Sequence, residues 1–248
     1  MPSPSLIRRF FRRLGIVVVQ ESHDAVKYID APPATLFDIV LLRVFSNIKG
    51  LSFIQIGAND GVRGDPIREK VLNHAWTGLL VEPVPALFEQ LKKNYAGLPG
   101  LKFVNAAVDV SPGTRAIHFI RPGLPVPDWA NGLATFDLGR LQATARELGR
   151  HDTDIVHQEI QTLTWNQLLA ETGGRRCDVL VVDAEGYDIP LLRAAPLDRW
   201  RPPVIQFEHS CATPGDRLAF YGELIGLGYE IASDGPDTVA WRKADSPQ

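Results

Sequence analysis

The sequence predicts a doubly wound α/β fold, in which helices cover both faces of a mostly parallel sheet. From residue 51 onwards, short apolar runs alternate with helical segments, the order typical of parallel strands joined by crossover helices. The run at 178–182 is almost continuously apolar, as strands buried on both faces are. The last two runs, 229–232 and 238–242, are too close together for a helical crossover, so they either form an antiparallel hairpin or lie apart.

Local signals place the individual elements in order along the chain. Thr35 can cap a helix over 35–47, and Asp65 followed by Pro66 predicts the start of a helix over 66–73. The other predicted strands are 52–56, 78–81, 102–108, 116–120 and 204–207, and the other predicted helices are 85–95, 138–148, 165–171, 187–194 and 217–227.

Two parts of different character are predicted. Residues 1–50 form an N-terminal helical extension, and residues 51–248 form the main domain, with an insertion at about 110–176. Within the extension, apolar and arginine residues over 5–15 alternate at helical spacing, which predicts a basic amphipathic helix. Such a helix either contacts an anionic membrane surface or an acidic partner, or docks on its own domain or on a second copy of the chain.

Composition excludes several classes of protein. The net charge of −3 gives no global basic field for nucleic acid. Two cysteines cannot form a disulfide framework, so we expect a reducing compartment and a cytoplasmic protein, with peripheral membrane contact left open. No run of about 18 apolar residues occurs, and no signal peptide is evident.

Polar or glycine-rich tips follow five of the predicted strands. In open α/β sheets, ligands bind at the carboxyl ends of the strands, so these tips are the candidate site. They are Gly57-Ala58-Asn59-Asp60-Gly61, Glu82-Pro83, Asp109, Asp183-Ala184-Glu185-Gly186 and Glu208-His209.

The first two tips suggest a nucleoside ligand that carries a charged amino-acid moiety. Gly57 and Gly61 let a ligand approach the backbone, but the turn has neither the dinucleotide G-x-G-x-x-G pattern nor a P-loop lysine. An amino-acid moiety held by backbone groups with Asn59 or Asp60 fits better, and a tight turn without a ligand is the alternative. Glu82 can accept the two hydroxyls of a ribose, or else it caps the next helix.

Five segments carry a resemblance to a known family. They are Phe53–Gly61, 81–85, 105–109, 181–188 and 206–209. In this order, across about residues 52–242, the sequence resembles class I S-adenosylmethionine-dependent methyltransferases and, among them, the FkbM family. The resemblance implies a Rossmann-like sheet of seven strands with a reversed last strand. Gln55 is a departure, since many methyltransferases carry an acid in the first strand.

The resemblance also implies S-adenosylmethionine as the cofactor. The glycine turn would face the methionine half, Glu82 would hold the ribose, and the stretch from Ala107 to Asp109 would border the adenine. The full predicted cofactor set is Gly57, Ala58, Asn59, Asp60, Gly61, Glu82, Pro83, Ala107, Asp109 and Asp183.

Acidic residues dominate the last two tips, and three interpretations of them stay open. In the first, His209 is the general base for an acceptor hydroxyl, and Asp183 or Glu208 orients it or takes the proton. In the second, Asp183, Glu185 and Glu208 hold a divalent ion such as Mg²⁺. In the third, Asp183 only contacts the sulfonium region, and Asp188 caps or solvates a helix.

The long proline-rich and aromatic segment 121–137 is the candidate acceptor loop. Trp129 could stack on a sugar ring, and Asn131 and Thr135 could hold its hydroxyls, with Glu185 also facing the acceptor. A packed surface loop is the alternative. Three arginines follow, on a helix face that either binds an anionic group or is solvated: Arg140, Arg146 and Arg150.

The predicted function is S-adenosylmethionine-dependent O-methylation of a hydroxyl on a small-molecule or glycan acceptor. The acceptor is a sugar in a glycan, glycolipid or glycosylated natural product, or a polyketide, and assembly into a homo-oligomer is left open. One alternative is an NAD(P)-dependent oxidoreductase, against which stand the missing G-x-G-x-x-G pattern and the terminal hairpin. The other is a non-catalytic binding protein on a methyltransferase frame.

Overall fold

The computed structural model describes residues 34–242, so the basic helix predicted at 5–15 lies outside the described residues. The chain divides between Thr35 and Leu36, and the sheet belongs to the unit that begins at Leu36. Within residues 34–242, no helix combines the length and the apolar character needed to cross a membrane.

The strands and helices of this unit follow each other in the predicted alternation. The strands are β1 (Ser52–Ile56), β2 (Thr77–Val81), β3 (Leu101–Val104), β4 (Ala107–Val108), β5 (Gly113–Ile120), β6 (Ala134–Thr135), β7 (Ile155–Leu163), β8 (Val179–Val182), β9 (Val204–Glu208), β10 (Glu230–Asp234) and β11 (Asp237–Trp241). The helices are α1 (Leu36–Val44), α2 (Arg68–His74), α3 (Pro85–Asn94), α4 (Leu138–Glu147), α5 (Trp165–Glu171), α6 (Asp188–Ala194), α7 (Leu197–Trp200) and α8 (Pro214–Gly226).

The main sheet has seven strands in the order β3-β2-β1-β8-β9-β11-β10. The pairs β1–β2, β2–β3, β1–β8 and β8–β9 are parallel, and β11 is antiparallel to both of its neighbours. The predicted Rossmann-like fold, a mostly parallel seven-stranded sheet with an antiparallel hairpin strand, is therefore confirmed. The strand order reverses between β1 and β8, and this switch point is where ligands bind in open α/β sheets.

Both faces of the sheet are covered by apolar side chains of the helices. All four residues of β8 are buried, in agreement with the continuous apolar run. Because side chains alternate along a strand, Ile54 packs with α6 and α8 on one face, and Phe53 packs with α1 on the other. Helix α1 contributes Phe37, Val40 and Leu41 to that second core. It therefore packs with the sheet, whereas the predicted boundary at residue 50 placed it in the extension.

The region predicted as an insertion contributes most of a second sheet, which has four strands in the order β4-β7-β5-β6. The strand predicted over 102–108 is divided, because Leu101–Val104 pairs with β2 while Ala107–Val108 pairs with β7. Strand β7 was not predicted. Its buried apolar residues include Ile155 and Ile160, an odd spacing that gives no clear alternation between apolar and polar residues.

Candidate active site

A cavity of about 620 Å³ opens beside the carboxyl ends of β1, β2 and β8. Among the predicted site residues, it brings together Gly57, Asn59, Glu82, Pro83, Ala107, Asp183 and Glu185. Residues that the sequence did not single out also line it, among them Ala106, Gly132, Ala134, Phe136 and Tyr187. The insertion therefore closes over the switch point of the main sheet and supplies part of the wall.

Gly57 joins the tips of three strands in a turn that only glycine can make. Its φ is +78°, and a Cβ at this position would overlap the backbone carbonyl of Asp183. The backbone N–H groups of Gly57 and Ala58 both donate to the carbonyl oxygen of Val81, each at 3.0 Å. The close approach leaves the backbone of this turn accessible at the cavity wall.

Glu82 is a buried carboxylate whose orientation is fixed by two backbone donors. Its Oε2 accepts a hydrogen bond from the N–H of Asn59 at 2.9 Å, and its Oε1 accepts one from the N–H of Val84 at 2.8 Å. Burial raises the pKa of Glu82 to about 7. Each oxygen can accept a further hydrogen bond, so the carboxylate can bind a pair of ribose hydroxyls in the cavity while it caps the turn before α3.

We expect Glu82→Gln to weaken adenosylmethionine binding by about 1.5–3 kcal/mol, the range for hydrogen bonds to a charged group. The amide cannot accept from both Asn59 and Val84, and it places an N–H₂ group where a ribose hydroxyl needs an acceptor. Isothermal calorimetry measures the change. Glu89→Gln, at an exposed acid of α3, is the matched control and should bind as the unmodified protein does. An unchanged affinity in Glu82→Gln would remove Glu82 from the ribose site.

Three carboxylates form an acidic cluster: Asp183, Glu185 and Glu208, whose oxygens come within 4.8 Å of one another. Asp183 keeps contact with solvent in the cavity. Desolvation by the surrounding protein and the negative charges of Glu208 and Asp237 raise its pKa to about 6. Burial and the neighbouring Asp183 raise the pKa of Glu185 to about 8. At neutral pH, Asp183 is therefore mostly ionised and Glu185 mostly protonated.

Arg140 of α4 balances part of this negative charge. Its guanidinium group lowers the pKa of both Asp183 and Glu185, and it packs so close to Gly186 that a Cβ there would overlap it. Among the described residues, its buried Nη1 atom has no hydrogen-bond partner. All-oxygen donors such as those of the acidic cluster also suit a hard cation such as Mg²⁺, which would compete with Arg140 for the same carboxylates.

The loop that carries Asp183 and Glu185 is held in an uncommon conformation. Glu185 has a φ of +49°, which side chains rarely adopt, and the next residue, Gly186, has a φ of +95°. Asp188, 1% exposed, accepts hydrogen bonds from the N–H groups of Ala184, Gly186 and Glu208. This carboxylate therefore holds the loop to β9, whereas the third interpretation had Asp188 cap or solvate a helix.

Thr135 also supports the loop and does not face an acceptor. Its side chain is 3% exposed, and its hydroxyl donates to the carbonyl oxygen of Glu185 at 3.0 Å. The same hydroxyl accepts from the N–H of Asp137 at 3.1 Å. The predicted role of Thr135 in holding sugar hydroxyls is corrected accordingly. Trp129 is 61% exposed, and Asn131 borders a second cavity next to the first.

His209 lies away from the cavity, in contrast to its predicted role as the base. Its Nδ1 atom is 2.8 Å from the hydroxyl of Thr238, and its ring faces that of Tyr221. Its backbone N–H donates to the carbonyl oxygen of Pro236. Successive residues at a strand end point to opposite sides, so Glu208 turns towards Asp183 while His209 turns away. The histidine is therefore part of the packing between β11 and α8.

We expect His209→Ala to keep kcat within about threefold of the unmodified protein and to lower the free energy of unfolding by about 0.5–1.5 kcal/mol, the usual contribution of one hydrogen bond. The loss stays small because the Thr238 hydroxyl keeps its hydrogen bonds with Tyr221 and Ser233. Urea unfolding and a methyl-transfer assay on the same preparation separate the two effects. A folded variant without turnover would restore His209 as the base.

Three further predicted cofactor residues shape the glycine turn without lining the cavity. Asp60 accepts from the backbone N–H of Arg63 and pairs with its Nε at 2.8 Å. A Cβ on Gly61 would overlap the ring of Tyr95, so this glycine is required by packing. Ala58 is buried beneath the turn.

Asp109 does not line the cavity, but it orients aromatic side chains that do. One oxygen accepts from the hydroxyl of Tyr187 at 2.9 Å, and the other pairs with Arg115 at 2.7 Å. The Arg115 guanidinium lies 3.8 Å from the centre of the Phe136 ring, and that ring meets Tyr187 edge to face at 5.8 Å. Phe136 and Tyr187 both line the cavity, as does Ala107. No short-range sequence pattern links these residues.

Comparison with known proteins identifies a family for this chain. The family model described as "Methyltransferase FkbM domain" matches residues 55–227. No curated protein sequence matches the chain significantly.

Three solved structures are among those similar to this chain. The FkbM methyltransferase from Methylobacillus flagellatus KT shares 11% identity over 84% of this chain and 47% of its own length, with a TM-score of 0.49. Precorrin-6y C5,15-methyltransferase from Geobacter metallireducens GS-15 shares 13% over 86% of this chain and 92% of its own, with a TM-score of 0.41. The N-terminal domain of human METTL16 in complex with SAH shares 15% over 97% and 81%, with a TM-score of 0.44. Since the family model spans more than half of the sequence, the chain belongs to the FkbM methyltransferase family.

Proposed function

We propose that this protein is an S-adenosylmethionine-dependent O-methyltransferase whose acceptor is a hydroxyl of a sugar or a polyketide. The observation that carries the proposal is the Asp183 carboxylate, which lines the same cavity as Gly57 and Glu82. A base beside a cofactor site is what methyl transfer to a hydroxyl needs, because a neutral alcohol is a poor nucleophile. Membership of the FkbM family supports methyl transfer as the reaction class.

In this proposal the cavity divides into three parts along the cofactor. Glu82 accepts the ribose hydroxyls, the wall of Phe136 and Tyr187 encloses the adenine beside Ala107, and the turn at Gly57 receives the methionine half. When bound, adenosylmethionine supplies a methyl group on a cationic sulfur. The negative charge of the acidic cluster favours that cation.

Asp183 removes the proton from the acceptor hydroxyl as that oxygen forms a bond to the methyl carbon and the carbon–sulfur bond breaks. The proton ends on the Asp183 carboxylate. Glu185, protonated at neutral pH, can donate a hydrogen bond to the acceptor oxygen and hold it in line. The alternative we keep open is that Asp183, Glu185 and Glu208 hold a divalent ion such as Mg²⁺, which would acidify the hydroxyl.

The pH dependence of kcat follows from the raised pKa of Asp183. The base must be ionised, and its pKa is about 6 where an ordinary aspartate has 3.8. We therefore expect kcat at saturating adenosylmethionine to fall as the pH decreases through about 6 and to level off above it. A titration of kcat from about pH 5 to about pH 8 measures this. A flat profile over that range would contradict Asp183 as the base.

Methyl-labelled adenosylmethionine tests the acceptor class. The protein is incubated with oligosaccharides, a glycolipid and a polyketide aglycone, and the labelled products are treated with alkali. A methyl ether survives alkali whereas a methyl ester does not, so alkali-stable label on a sugar or polyketide oxygen is the expected result. Label on an amine would refute O-methylation, and alkali-labile label on a carboxylate would refute a hydroxyl as the acceptor. The same assay with EDTA tests the divalent ion.

A further inference from the structure

The described chain contains a second cavity, of about 750 Å³, that borders the cofactor cavity. We infer that the acceptor carries an apolar group next to its reactive hydroxyl, and that this group binds in the second cavity. The inference rests on the proposed function, since it names a property of the acceptor of that reaction.

The walls of the second cavity are mostly apolar and come from two layers of the fold. Helix α3 and the residue before it contribute Val84, Ala86 and Leu87, and the end of β5 contributes Phe119 and Ile120. An apolar lining with a few polar groups at the edge is typical of small-molecule sites.

The one arginine of this cavity is already paired, which argues against an anionic ligand. Arg63 donates through Nε to Asp60 at 2.8 Å and through Nη1 to the carbonyl oxygen of Asn131 at 2.6 Å. Its charge is thereby balanced within the protein. A phosphate or carboxylate would have to displace these bonds, whereas an alkyl or aromatic group would leave them intact.

The second cavity adjoins the cofactor cavity at two small residues, Gly132 and Ala134, which line both cavities. Gly132 has φ +133°, and a Cβ there would press on the side-chain amide of Asn59, so this position must stay without a side chain. An acceptor with an apolar group in the second cavity would therefore have only a glycine and an alanine between that group and the cofactor cavity. This adjacency is why we assign the cavity to the acceptor.

Two alkyl glucosides with the same head group test the inference by calorimetry, on protein with and without adenosylhomocysteine. Octyl β-D-glucoside, used below its micelle concentration, should bind at least about 100-fold more tightly than methyl β-D-glucoside, because seven further carbons are buried. Equal affinities for the two glucosides would overturn the inference.

A substitution on the exposed side of α3 locates the bound chain. Ala86→Trp fills the cavity from a solvent-exposed position, so the fold should be kept, and octyl glucoside should bind at least about 10-fold more weakly. Glu89→Trp adds the same indole to the same helix outside the cavity and should not alter binding. Unchanged binding in Ala86→Trp would overturn the inference.

Titration with adenosylhomocysteine distinguishes a failure of this inference from a failure of the proposed function. Adenosylhomocysteine should bind both variants with the affinity of the unmodified protein, since neither residue lines the cofactor cavity. If adenosylhomocysteine fails to bind the unmodified protein, the proposed function fails. The comparison of the two glucosides without nucleoside still decides whether the second cavity takes an apolar group.

Discussion

We expect Asp183→Asn to lower kcat by about 100- to 10,000-fold, the usual effect of removing a general base, which is the role proposed for Asp183. The amide is nearly the same size and should preserve the loop, whose conformation depends on Asp188 and Thr135. It cannot take the proton of an acceptor hydroxyl. Calorimetry with adenosylhomocysteine should show that the variant keeps its cofactor site, which assigns the loss of kcat to chemistry and not to folding.

Asp237→Asn is the matched control for this prediction. Asp237 is an acid whose charge raises the pKa of Asp183, but it does not line the cavity. Its removal should leave the plateau of kcat unchanged and shift the acidic limb of the pH profile to lower pH, because the carboxylate of Asp183 then ionises more easily. If Asp183→Asn retains kcat within about threefold, the proton acceptor lies elsewhere.

We expect Gly57→Ala to abolish measurable binding of adenosylmethionine and to lower the free energy of unfolding by about 2–5 kcal/mol. Two costs add up. An L-residue is strained at φ +78°, and the new Cβ overlaps the backbone carbonyl of Asp183, which cannot move without separating β1 from β8. Urea unfolding measures the stability, and calorimetry measures the cofactor affinity.

Gly64→Ala is the control that separates the cost of a positive φ from the cost of the Cβ overlap at Gly57. Gly64 has φ +62°, and no atom lies within 4 Å of the position of its Cβ. This variant should lose only about 1–2 kcal/mol of unfolding free energy and should bind adenosylmethionine normally. If Gly57→Ala behaves as Gly64→Ala does, the close contact between the two strand tips is not required.

Much of the fold could be predicted because its signals are local. The apolar run of β8 and the short connection between β10 and β11 each determine one feature of the sheet, a buried parallel strand and a reversed final pair. Strand β7 escaped prediction because its burial depends on partners in β5, far away in sequence, and its own apolar residues do not alternate.

The strand tips that form the candidate site could be predicted from the sequence. The direction in which each side chain points could not. Glu208 and His209 are neighbours in the sequence, yet only Glu208 turns to Asp183, since the backbone alternates at the end of β9. Asp109 was predicted to border the adenine, and it instead holds Tyr187. Its other partner, Arg115, belongs to the insertion, whose position against the main sheet is a matter of tertiary packing.

Calorimetric titration with S-adenosylmethionine, with NADH as the control ligand, tests the central claim most directly. We predict micromolar binding of adenosylmethionine, no binding of NADH, and no effect of EDTA on cofactor affinity, because the proposed contacts to Gly57, Glu82 and the aromatic wall need no metal. Binding of NADH in place of adenosylmethionine would contradict the proposed function and favour an oxidoreductase.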